Sequence, residues 1–99
     1  MDIKKVQKEI FENKIKKGFN TTDISIEFCH LYGEIGEAWE AYYKKKNDLN
    51  YELADIAIYL LGLSEMLDID LESAIKEKMA INAKRVYKDV NGVKIKTEN

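Results

Sequence analysis

Residues 34–55 read Glu34-Ile-Gly-Glu37-Ala-Trp-Glu-Ala-Tyr-Tyr-Lys-Lys-Lys-Asn-Asp-Leu-Asn-Tyr-Glu52-Leu-Ala-Asp55. An acidic pair opens the stretch and another closes it. Each pair is spaced i, i+3, so its two carboxylates share one helix face. The polar run Asn47-Asp48-Leu49-Asn50 between them marks a turn. The stretch is read as two helices reversed on each other, which brings Glu34, Glu37, Glu52 and Asp55 to one place. The rest of the chain is expected to be the packing that holds those two helices.

On the N-terminal side, Ile3, Val6, Ile10 and Phe11 recur at helical spacing within residues 2–17. This first helix should stop at Lys17-Gly18, where glycine can take the left-handed C-cap conformation. Thr21 or Thr22 is expected to cap the second helix, with Asp23 in its first turn. Phe28, Leu31, Ile35, Ala38 and Tyr42 make its expected apolar stripe. Lys44, Lys45 and Lys46 stand at its end, where cations suit the helix dipole.

On the C-terminal side, Asp48 or Asn50 caps a third helix that is apolar on nearly every side from Leu53 to Leu63. Asp55 is the only charge between Glu52 and Glu65. Such a helix must be covered on more than one face, so burial against a second subunit is expected. Asp68 or Asp70 caps a fourth helix, with a stripe of Leu71, Ile75, Met79, Asn82 and Val86. The run Val90-Asn91-Gly92-Val93 is a type I′ turn signal for a short hairpin. The last residues are expected to fray. The fold expected is all-α: a four-helix bundle-like subunit, oligomeric, with a short C-terminal β-hairpin.

Ninety-nine residues make one small domain, marginal when alone. The chain is 45% apolar and 34% charged with mixed signs, which suits a globular protein. A net charge of −2 gives no basic surface for nucleic acid. No signal core opens the chain, and no apolar run reaches the roughly 18 residues that span a bilayer. One cysteine, Cys29, excludes an internal disulfide and suits a reducing cytoplasm.

Two carboxylates about 5 Å apart repel by roughly 3 kcal/mol at a dielectric near 20, and by less than about 1 kcal/mol in water. A cluster among apolar residues therefore needs a cation, protonation or basic partners. All-oxygen ligands favour Mg²⁺, then Mn²⁺. Zinc lacks its soft ligands, with one cysteine and one histidine present. A di-iron bundle needs two Glu-x-x-His motifs, and the chain has neither. Lys78, Asn82 and Arg85, at i, i+4 and i+7, form a cationic, amide-bearing face suited to phosphates. Metal and cationic faces together would make a polyphosphate site. The plain alternatives are common ones. An isolated Glu-x-x-Glu is most often a solvated face, and Lys78 and Arg85 alone would be ordinary helix-end cations. Trp39, Phe19 and the tyrosines are more often core than base-stacking groups, and Cys29 and His30 are read as structural.

The segments Glu34-Ile-Gly-Glu37, Glu52-Leu-Ala-Asp55-Ile-Ala-Ile-Tyr-Leu-Leu and Lys78-Met-Ala-Ile-Asn82-Ala-Lys-Arg85 resemble the all-α, MazG-like nucleoside triphosphate pyrophosphohydrolases. The likeness covers residues 24–87. It implies Mg²⁺-dependent cleavage between the α and β phosphates of a nucleoside triphosphate, in homodimers or homotetramers. By position, Glu34, Glu37, Glu52 and Asp55 would hold the metal and carry the catalysis, and Lys78, Asn82 and Arg85 would touch phosphates or sugar. The family's first motif often begins with two adjacent glutamates. Gly33 stands where the first would be, so the number of metals is open. Phosphoribosyl-ATP pyrophosphohydrolase shares the superfamily pattern and ranks second. The alternative from another class is a non-catalytic oligomerisation or regulatory module with a structural cation site.

Overall fold

The computed structural model describes residues 1–97; residues 98 and 99, part of the end expected to fray, lie outside them. The first helix, α1, spans Ile3–Lys16 and is capped by Asp2, whose side chain accepts from the Lys5 N–H. Gly18 takes φ +69°, the left-handed conformation that ends the helix. The second helix, α2 (Ile24–Tyr43), corrects the expected cap: Asp23 itself is the N-cap and accepts from Ile26 N–H. Neither threonine is needed there, because the Asn20 side-chain oxygen already receives the Thr22 and Asp23 N–H groups. α2 ends through Lys45 at φ 56°.

The third helix, α3, is Leu49–Met66, with Asp48 at its N-cap but no capping hydrogen bond from its side chain. It ends through Asp68 at φ 56°, leaving Asp70 to cap α4 (Leu71–Lys84) by accepting from Ser73 N–H. A hairpin follows, with β1 (Tyr87–Val90) antiparallel to β2 (Val93–Lys96) and Val90 opposite Val93. Asn91 and Gly92 both have positive φ, 52° and 81°, as a type I′ turn requires.

α3 is the centre of the packing, with α2 on one side and α1 on another, while α1 and α2 scarcely touch each other. The core is thin: Ala38 and Ala41 of α2 and Leu61 and Leu63 of α3 are its buried apolar residues among those described. The inward stripe of α2 is Glu27, Leu31, Glu34, Ala38 and Ala41, not the all-apolar one expected. Phe28, Ile35 and Tyr42 of the expected stripe are exposed. The reason is that two glutamates occupy inward positions, so hydrophobicity alone points to the wrong side of the helix.

Gln7 ties α1 to the turn before α4. Its amide donates to the Ile69 carbonyl at 2.7 Å and to Glu65 at 3.1 Å, and its oxygen accepts from Leu71 N–H. Beyond that anchor α4 leaves the other helices, touching α1 alone among them. Its stripe residues Ile75 and Met79 are exposed. The chain consequently shows 7795 Å² of surface, against about 5,800 Å² expected of a folded monomer of this mass. Its radius of gyration is 16.8 Å, where about 13 Å is usual for this length. Among the described residues no helix is long and apolar enough to cross a membrane.

Candidate metal centre

Glu34 and Glu37 lie one turn apart on α2, and Glu52 lies in the first turn of α3. Close packing of the two helices through Ala38 and Ala41 brings the three side chains together. Each offers one oxygen such that all three lie within 4.8 Å of one another. Asp55, one turn further along α3, stands outside this trio but adds its field to both Glu34 and Glu52. Like Glu37 it is exposed, where Glu34 and Glu52 are half-buried.

The electrostatics follow from burial without counter-charge. Desolvation, then a hydrogen bond and the charge of Glu37, then Asp55 and Glu52, push the Glu34 carboxyl up to about 7. Glu52 is also raised, first by desolvation and then by Glu37, Asp48 and Asp55, with Lys46 acting weakly in the opposite sense. Two oxygens of the trio, Glu34 Oε2 and Glu52 Oε2, are buried without a hydrogen-bond partner. Among the described residues no lysine or arginine forms an ion pair with Glu34, Glu37 or Glu52. Buried polar atoms are nearly always satisfied. Converging hard oxygens with lone pairs left over are the donor set that fits a divalent cation.

Asp48 belongs beside this group and was not singled out from sequence. Its Oδ1 is likewise buried and unpartnered, and its charge acts on Glu52. The signal lies in the i, i+4 spacing of Asp48 and Glu52, though by position Asp48 reads as a helix cap. The three other expected site residues are not brought to the carboxylates within one chain. Lys78 and Asn82 lie exposed on α4, which packs on neither α2 nor α3. Arg85 is the C-cap of α4 at ψ 140°, so it has left the helical register that would align it with Lys78 and Asn82.

A buried pair outside the cluster also escaped the sequence reading. Lys14 Nζ and Glu27 Oε2 meet at 2.8 Å. Glu27 Oε1 accepts from the Asn20 amide at 3.1 Å and lies 3.7 Å from His30 Nδ1. The available signal was Lys14 falling four residues after Ile10, on the apolar face of α1.

No protein-family model matches the chain. No solved structure matches it either. Over 36 residues the chain is 47% identical to a dATP/dGTP diphosphohydrolase of Salmonella phage PMBT28. That stretch is 36% of this chain and 12% of the phage protein. Part of the chain is thus similar to a nucleotide diphosphohydrolase.

Proposed function

We propose that the protein is a Mg²⁺-dependent nucleoside triphosphate pyrophosphohydrolase, converting a (deoxy)nucleoside triphosphate to the monophosphate and pyrophosphate. The observation that carries this reading is the trio Glu34, Glu37 and Glu52, with oxygens within 4.8 Å and two of those side chains holding buried, unpartnered atoms. The similarity to a protein named for dATP and dGTP supports the same reaction class and makes purine deoxynucleotides the first substrates to try.

In this reading Glu34, Glu37, Glu52 and Asp55 hold Mg²⁺, or Mn²⁺ in its place. The ion supplies charge neutralisation for the polyphosphate and an activated water. The carboxylates do the remaining work. One of them takes a proton from the attacking water as its oxygen bonds to the α phosphorus. The bond from that phosphorus to the α,β-bridging oxygen breaks, and its electron pair leaves with pyrophosphate.

Apart from Lys46, whose charge reaches Glu52, a single chain brings none of the expected phosphate-binding groups to the cluster. A second copy supplies them in this reading, its α4 carrying Lys78, Asn82 and Arg85. The exposed apolar residues of α4 and the surface of roughly 2,000 Å² in excess of a compact monomer are what such an assembly would cover. The competing reading is a non-catalytic module with a structural cation, favoured by the distance of those cations from the carboxylates in one chain.

Pyrophosphate release from a panel of NTPs and dNTPs, with Mg²⁺ and then with chelator, separates the two. Metal-dependent release that is lost in Glu37→Ala and Asp55→Ala while the fold persists supports the enzyme. A silent panel with intact metal binding supports the module.

A further inference from the structure

We propose that the cavity between α1 and α2 is a nucleobase pocket, in which the buried Lys14–Glu27 pair reads the polar edge of the base. The proposal rests on the pyrophosphohydrolase reading for its choice of occupant, and on the cavity's own geometry for the rest.

α1 and α2 both pack on α3 but scarcely on each other, and the gap between them holds a cavity of about 450 Å³. That is within the roughly 300–1,000 Å³ typical of small-molecule sites. Ile10, Phe19 and Ile58 give it apolar walls suited to a flat ring, while Lys14, Glu27 and His30 bring polar groups to the same space. Glu27 is held in place: Asn20 donates to its Oε1. Lys14 Nζ meets Glu27 Oε2, and its other near partner is the weak acceptor Met66 Sδ at 3.8 Å. An ammonium donor therefore stands beside a carboxylate whose Oε2 is buried and holds no hydrogen bond, so the pair meets a base edge by turning toward the cavity it lines. The edge of a nucleobase carries the complementary arrangement, an acceptor next to a donor. Burying such a pair is costly where apolar side chains would serve packing alone.

The position is also right. Glu27 and Glu34 lie on the same face of α2, seven residues apart, which is about 10 Å along the axis. That is close to the span of a nucleotide from base edge to α phosphate. Tyr59 lies between the two: it lines the cavity, packs edge-on to His30 and feels the charges of both Glu34 and Glu27. A base at Glu27 would thus leave its phosphates at the carboxylate cluster.

The test uses deoxyadenosine, deoxyguanosine, deoxycytidine and thymidine, without phosphate or metal, titrated into the full chain. The readout is the NMR signals of the His30 ring and the Asn20 amide. Saturable shifts with at least one nucleoside, weakened in Phe19→Leu, are expected. Glu27→Gln should change the ratio of kcat/KM among the four dNTPs by about tenfold or more, the scale of one altered hydrogen bond to a base. Absence of any nucleoside-induced shift overturns the proposal, as does a Glu27→Gln effect equal for all four dNTPs. Pyrophosphate release and Mn²⁺ binding are measured alongside. If they fail while nucleosides still bind, the hydrolase reading falls and the pocket stands.

Discussion

Lys14 Nζ sits 2.8 Å from Glu27 Oε2 across the gap between α1 and α2, with side chains only 10% and 2% exposed. The contact has the geometry of an ion pair and not of an aligned hydrogen bond. It links two helices that otherwise scarcely meet. A buried charge left without its partner is strongly destabilising, whereas removing both charges is far less so. Lys14→Met should therefore cost about 3–5 kcal/mol, and the double variant Lys14→Met/Glu27→Leu should recover part of that loss. Urea unfolding of the two variants measures the coupling; strictly additive losses would show that the charges do not interact.

The Glu34 carboxyl, pushed from 4.5 up to about 7, makes stability depend on pH in a defined direction. Between those values the folded chain holds a proton that the unfolded chain has released. Stability from this group is thus present at the acid end and lost as pH rises through about 7. The raised Glu52 acts in the same sense. Thermal melts of the metal-free protein should show a fall between pH 5 and pH 8 larger than in Glu34→Gln. An identical profile in that variant would remove Glu34 as the cause.

Glu37 contributes a hydrogen bond and a like charge to Glu34. Glu37→Gln should bring the Glu34 carboxyl down toward its ordinary range, observable by carbon-13 NMR titration. It should also stabilise the metal-free protein at pH 8 by about 1–3 kcal/mol, the span of one relieved repulsion between water and a dielectric near 20. Gained stability together with lost metal affinity is the pattern of a residue kept for function. Loss of stability would instead make Glu37 a structural residue.

Met79 is 65% exposed on α4 and Trp39 63% exposed on α2. The association proposed above predicts that sedimentation finds a dimer or larger species. Met79→Glu, harmless on a free surface, should shift that species toward monomer. A native chain that sediments as a monomer at every concentration would refute the second-copy account of phosphate binding.

Local signals made most of the elements legible. Asp70 before Leu71, Gly18 after Lys17 and Asn91-Gly92 between valines each have one physical meaning, and each element stands where they place it. The convergence of Glu34, Glu37 and Glu52 was readable because helical period and chain reversal alone determine it. What the sequence hid was the direction of inward faces. Gln7, Lys14 and Glu27 are buried polar groups whose partners lie on other elements, and a periodicity of apolar residues cannot reveal them. The course of α4 was hidden too, because a helix that leaves the bundle and a helix of a closed bundle carry the same stripe. Arg85 left its face because the helix stops at Lys84, and the strand residues that begin three positions later set that limit.

The most direct test is isothermal titration of Mn²⁺ into the metal-free protein at pH 8, with Glu52→Gln as the comparison. The account predicts saturable binding to the native chain, accompanied by proton release when the titration is repeated below pH 7, and loss of that binding in the variant while its helical content is unchanged. Native protein that shows no saturable binding, or a variant that binds as the native chain does, would contradict it.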